Sequence, residues 1–305
     1  MRSIRRWTQL AAAATLAVVV WRLGTGPFLA GIRAVDARAL LAAAAIGAVC
    51  TVCSAWRWTI VARGLGVPLS LRGAVAACYR SVFLNLTLPG GVAGDVHRGV
   101  SHGREVHDVG HALRAVAWER AAGQAVQALL TLPVLFLLPS PVRSSMPLVA
   151  AALLAAIAGI AVAGRARLGR RWARVRRAVA SDVRAGLLRR SAWPAVALAS
   201  TAVVAGHAGT FLVAARTVGV TAPLSRLLPL ALLALLAMVL PSVAGWGPRE
   251  GTTAWVFGSA GLGADRGAAV AVAYGVLVLA ASLPGAAVLV AGRLPQARPH
   301  GAVNG

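Results

Sequence analysis

The segment LPGGVAGDVHRG, residues 88–99, interrupts an otherwise apolar stretch and carries charge inside it. Pro89 lacks an amide hydrogen and disfavours helical geometry in the residue before it, so it ends a helix. Gly90, Gly91 and Gly94 permit left-handed or closely approached backbone. A helix broken at membrane depth leaves polar backbone groups that are tolerated only within protein or beside a water-filled cavity. Asp95 and Arg98, three apart, share a face if a new helix starts here. Ionisable groups within a membrane are costly and usually functional. Asn85 is placed to cap or bond the freed backbone. The competing reading is an interfacial turn whose charges face water.

A second segment, LPSVAGWGPREG at residues 240–251, has the same plan. Both begin Leu-Pro, hold central glycines and place charges before a final glycine. The offset is 241 − 89 = 152 for the prolines and 251 − 99 = 152 for the last glycines, half of a 305-residue chain. Gly245, Gly247 and Gly251 surround Trp246, Pro248, Arg249 and Glu250. Pro248 suits the first position of a new helix. A helix start with Arg249 beside it offers amides and a forked donor suited to phosphate. Alternatively, Arg249 pairs with a carboxylate and stabilises the bundle.

The surroundings of both segments place them in a membrane. Hydrophobic residues make up 58% of the chain and charged residues 13%, about half the charge of an ordinary soluble domain. That excludes a cytosolic enzyme, a disulfide scaffold and a disordered tail. The apolar runs are continuous and not alternating, so the spanning element is a helix and not a barrel strand. They fall at 8–23, 37–61, 73–88, 113–138, 147–163, 192–215, 227–243 and 267–291. The first follows a basic start and reads as an uncleaved helix, since Trp21 and Arg22 stand where a cleavage site would be.

The 31 basic residues are all Arg, and with 8 acidic residues the net charge is +23. In a membrane chain such an excess sets orientation and attracts anionic lipid heads, so nucleic acid is not expected as a partner. Arg2, Arg5 and Arg6, the block 165–190 with ten Arg, and Arg293 with Arg298 place both termini and the block on the cytoplasmic side. Counting crossings then forces 73–104 to begin and end inside, and 227–263 to begin and end outside. Each is a hairpin, entering from opposite faces, as an inverted repeat requires.

The expected fold is therefore all-α and polytopic, with about six full spans and two broken, re-entrant hairpins. One membrane domain covers 1–305. It divides into a first helix and external linker (1–36), a first half (37–164), a basic cytoplasmic connector (165–190), a second half (191–292) and a cytoplasmic tail (293–305).

Other polar groups are read as structural. Glu119 and Arg120 open the run at 113–138, with Gln124 and Gln127 further in, and Glu119 is placed to neutralise Arg98 or Arg249. Cys50 and Cys53 form C-x-x-C in an apolar run with no charged neighbour, which favours packing over redox chemistry. His97, His102, His107 and His111 crowd one region, but without a metal-binding motif. His207 reads as a packing residue, and Arg80 as a group facing the cavity. No nucleotide, hydrolase or deaminase signature occurs, so no enzyme activity, cofactor or metal is expected.

FLNLTLPGGVAGDVHRG, WERAAGQ (118–124) and GWGPREG together resemble the lysylphosphatidylglycerol synthase transmembrane region family, the flippase-like membrane proteins, across about residues 37–290. The resemblance implies functional roles for Asn85, Pro89, Gly90, Gly91, Gly94, Asp95 and Arg98. It implies the same for Glu119 and Arg120, and for Gly245, Gly247, Arg249, Glu250 and Gly251. In fused members such a domain moves aminoacylated phospholipid across the bacterial inner membrane, and a separate cytosolic domain makes that lipid. At 305 residues this chain is expected to lack the synthase domain. The leading expectation is a translocator of phosphate-bearing, anionic lipids in the bacterial cytoplasmic membrane. In it Asn85, Asp95, Arg98, Glu119, Arg120, Arg249 and Glu250 line a head-group cavity. The alternatives are a non-catalytic partner of an envelope-biosynthesis enzyme, and a membrane-embedded transferase.

Overall fold

Helices start where the sequence supplies a cap. In the computed structural model, which describes residues 21, 24–88, 91–145, 170–240 and 246–291, Asp36 accepts from the amide of Ala39 at 2.8 Å and opens α2, Ala37–Gly64. It follows a short α1, Gly26–Ala34, in what the sequence suggested was a plain linker. Ser70 accepts from Gly73 and opens α3, Leu71–Thr87. After the break comes α4, Ala93–Glu105. Asp108 accepts from His111 at 2.9 Å and opens α5, Val109–Leu137. The same amide holds the Asp108 carboxyl below its ordinary range.

Beyond the basic helix α6, Arg170–Gly186, the second half begins with α7, Trp193–Thr217. A shorter α8, Leu224–Ala237, a break, and α9, Pro248–Ser259, follow. The half ends with α10, Ala264–Ser282, and α11, Pro284–Ala291. Proline stands in the first turn of α1, α7 and α9, where its missing donor costs nothing. Every regular element among the described residues is a helix.

Each half is thus a long helix, a two-helix hairpin and another long helix. The long segments Ala37–Gly64, Val109–Leu137, Trp193–Thr217 and Ala264–Ala291 are long and apolar enough to cross a membrane. Leu41, Leu129, Leu137 and Leu198 stand exposed on them, as lipid-facing side chains do. The other two expected spans, at 8–23 apart from Trp21 and at 147–163, and the tail after 291 lie outside the described residues.

Packing repeats between the halves. Helix α3 packs on α2 and α4, as α8 does on α7 and α9. Helix α5 packs on α2 and α4, as α10 does on α7 and α9. Across the interface α2 lies along α7, while α5 meets α7 and α8 just as α10 meets α2 and α3. Even the outer helices correspond, with α6 against α2 and α5 and α1 against α10. Each half also has its own core, around Trp58, Cys78 and Val116 in the first and Phe211, Leu230, Phe257 and Tyr274 in the second.

The structure moves the repeat register. Ala93 and Pro248 open equivalent helices, and so do Val109 and Ala264; each pair is 155 residues apart. The 152-residue offset drawn from prolines and final glycines misses this by three. Asp95 therefore corresponds to Glu250, and Glu119 to Tyr274.

If the hairpins enter from opposite faces, their bases lie on opposite sides of the membrane. Glu105→Cys at the base of the first and Ser225→Cys at the base of the second, in a chain with Cys50, Cys53 and Cys78 replaced by Ala, should react with an impermeant maleimide from opposite sides. Labelling of both from one side would overturn the inverted arrangement.

Candidate functional site

A cavity of about 980 Å³ lies between the halves. Both hairpins wall it, through α3, the start of α4, the end of α8 and the start of α9, as do α2, α5 and α7. Gly91 has a φ of 67° and Gly247 a φ of 118°, so each hairpin turns through a backbone conformation that glycine alone adopts without strain. Gly91 and Gly247 behave as the helix breaks the sequence indicated, and Pro248 is the first residue of α9. Two of the indicated breaks do not break a helix. Gly94 and Gly251 lie within α4 and α9. At Gly94 the missing Cβ lets α4 rest on the carbonyl of Ser81, so this glycine serves close packing of the hairpin. Pro89, Gly90 and Gly245 lie outside the described residues.

Asn85 caps the reopened helix, accepting from the amide of Gly94 at 2.7 Å. Its amide nitrogen donates to Asp95 Oδ2 at 2.9 Å, and Ser81 Oγ donates to Oδ1 at 3.0 Å. Asp95 pairs with Arg98 at 3.1 Å and with Arg120. Arg98 continues to Glu119 Oε2 at 2.6 Å, contacts Cys78 Sγ at 3.3 Å, and lies over the Trp58 ring at 4.7 Å. Glu119 Oε1 accepts from Arg57 Nε at 2.8 Å and also from its NH2, while Arg57 NH1 donates to Ser200 Oγ at 2.9 Å. Arg57, Asp95, Arg98 and Glu119 are all buried. One connected network therefore joins α2, α3, α4, α5 and α7.

The second hairpin is arranged differently. Arg249 pairs with its neighbour Glu250, and Glu250 Oε2 accepts from the Gly247 amide at 2.6 Å. That carboxylate occupies the start of α9, so the site is closed to an outside anion there. Arg249 lies against Trp246 at 5.5 Å and Tyr274 at 5.1 Å. A Cβ on Gly275 would stand 2.6 Å from its NH2, so the glycine leaves the guanidinium its present place and a side chain there would push it aside. Of the two readings of Arg249, the carboxylate pairing holds. Glu119 neutralises Arg98 as expected, but its second partner is Arg57 and not Arg249.

Sequence reasoning passed over Arg57. Its signal was present: a single charge inside the run AWRWT, which has no reason to be there unless paired. His207 lines the cavity and its Nδ1 lies 3.0 Å from the Tyr274 hydroxyl. Arg80 is not part of the cavity wall. Cys50 is buried, with its thiol toward the Val203 carbonyl. His102 is buried edge-on to Trp58, and His111 bonds Asp108. Among the described residues no His, Cys, Asp and Glu group is placed to hold a metal. Asp182, the one acid of the basic connector, accepts from Trp118 Nε1 at 3.2 Å and pairs with Arg114 at 3.0 Å, fastening α6 to α5.

A family model described as lysylphosphatidylglycerol synthase TM region matches residues 7–285. No curated protein matches the chain.

Removing one member of a buried ion pair leaves the other charge uncompensated, at a cost of about 3–5 kcal/mol. Glu119→Gln should therefore lower unfolding stability in detergent by that order. Glu105→Gln, at an exposed carboxylate, should leave it nearly unchanged. Equal melting of the two variants would show that the network does not hold the helices together.

Proposed function

Because the chain belongs to the lysylphosphatidylglycerol synthase TM region family, we propose that this multi-pass membrane protein moves phosphate-bearing lipids between leaflets. One observation carries the reading: a cavity of about 980 Å³, polar and charged on one part of its wall, lies between two pseudo-symmetric halves of a membrane bundle. A lipid joins a charged head, matched to the charged part of the wall, to acyl chains compatible with its apolar remainder. With the halves inverted, as proposed, binding at their interface also gives a route to exposing one site to either side, by rocking one half against the other.

The proposed division of labour follows from the packing. Asp95, Arg98 and Glu119 hold α4 and α5 in register, Asn85 keeps the broken hairpin capped, and Arg249 with Glu250 closes the opposite wall. Arg120 stands where the network meets the cavity. No residue of this set is assigned a catalytic step, and the bacterial cytoplasmic membrane is the proposed location.

The purified chain, reconstituted in phosphatidylcholine vesicles with a fluorescent phospholipid, should accelerate loss of leaflet asymmetry relative to protein-free vesicles. Asp95→Asn should reduce that rate at least about tenfold, since it weakens charge-assisted bonds to two arginines. Vesicles that keep their asymmetry with the wild-type chain would refute translocation.

A further inference from the structure

The four arginines that line the cavity are not equivalent. Arg57 uses Nε, NH1 and NH2 in hydrogen bonds, and so does Arg98. Their side chains are 7% and 4% exposed. Arg249 is 3% exposed, bonded to Glu250 and flanked by two aromatic rings. Arg120 spends only NH2, on Asp95, and its side chain is 47% exposed. Its Nε and NH1 have no hydrogen-bond partner among the described residues. A ligand anion entering the cavity therefore reaches Arg120, and not the Arg98 and Arg249 forks that the sequence put forward.

The acids are equally informative. Both oxygens of Glu119, Asp95 and Glu250 already accept hydrogen bonds. Asp95 accepts four such bonds and Glu119 and Glu250 three each, so an added ammonium group would compete with arginine donors already in place. The four wall guanidiniums, the wall carboxylates of Asp95 and Glu119, and Glu250 paired to Arg249 behind the wall sum to a charge of +1. One negative charge on the ligand neutralises it.

Along α5, one and two turns past Arg120, come Gln124 and Gln127, both in the cavity wall. Gln124 Oε1 and Gln127 Nε2 are buried without a partner. An acceptor and a donor left open in succession suit hydroxyl groups, which both give and take hydrogen bonds.

We propose that Arg120, Gln124 and Gln127 form the head-group subsite, selecting a phosphodiester of single negative charge with a hydroxylated head and rejecting heads that carry an added cation. This rests on the lipid reading above. It departs from the aminoacylated phospholipid that the family resemblance suggests.

The test is lipid retention by the full chain, purified in detergent and mixed with phosphatidylcholine vesicles carrying one probe lipid at a time. Phosphatidylglycerol should be retained about tenfold over its lysyl ester and about five- to tenfold over phosphatidylmethanol, which has the charge but no hydroxyl, the latter being the size of effect expected for one neutral hydrogen bond. Excess inorganic phosphate should not displace it. Arg120→Gln should erase the preference over the lysyl ester, and Arg120→Lys should keep much of it. Should Arg120→Gln fail to fold, Gln124→Leu with Gln127→Leu decides, by erasing the preference over phosphatidylmethanol. Equal or greater retention of the lysyl ester, displacement by phosphate, or unchanged selectivity in the variants overturns the assignment. Retention is read without transport. A chain that keeps the preference but leaves asymmetry intact sinks translocation alone, and one that translocates without preference sinks the subsite alone.

Discussion

The Glu119 carboxylate is the point on which the first half depends. It sits almost fully buried in a membrane helix and takes both Arg57 and Arg98. Isolated, any of the three charges would be expelled from such a position. Together they bind a long span, the second arm of the broken hairpin and a second long span at one place. The hairpin needs that anchor. Its break leaves backbone groups that cannot be met by lipid, and only a fixed neighbour such as Asn85 can meet them. Asn85 is fixed in turn by Asp95, which Arg98 holds to Glu119. Cap, break and ion network are one arrangement.

The two halves share a packing plan but not a chemistry. Where the first half has Glu119, the second has Tyr274, whose hydroxyl lies near His207 and whose ring faces Arg249. Where Asp95 binds two arginines from other positions, Glu250 binds the residue beside it. The first half ties its helices by long-range charge pairs. The second ties them by apolar packing and an aromatic enclosure around one arginine. This explains why the motifs match loosely in sequence: the backbone plan repeats, while the groups that satisfy it have diverged.

Much of the fold was legible in the residues. Continuous apolar runs marked the four long helices seen among the described residues, two shorter segments were expected as hairpins, and glycines such as Gly91 and Gly247 marked where they turn. Asp95 with Arg98 on one face followed from helical spacing alone. What the sequence could not supply was partnership. Nothing local says that Glu119 meets Arg57, 62 positions away, or that Arg249 is satisfied by its own neighbour. Gly94 and Gly251 illustrate the same limit. A glycine beside a break reads as part of it, and only three-dimensional packing reveals that Gly94 admits a neighbouring carbonyl. The three-residue error in repeat register has that origin too, since Gly99 and Gly251, taken as the ends of the two turns, lie inside α4 and α9.

Charge content is therefore a poor guide to function in this chain, and charge accounting at the cavity is a good one. With 31 arginines, the presence of one near a break carries little information. What separates Arg120 from Arg57, Arg98 and Arg249 is the state of its donors and its access to the cavity. A guanidinium whose nitrogens are all committed holds structure, because recruiting it to a ligand would strip a buried carboxylate of its partner. A guanidinium with two nitrogens unspent at a cavity wall meets an incoming anion at no such cost. In a medium that penalises every unpaired charge, the group left incompletely paired is the one whose position the rest of the bundle must justify.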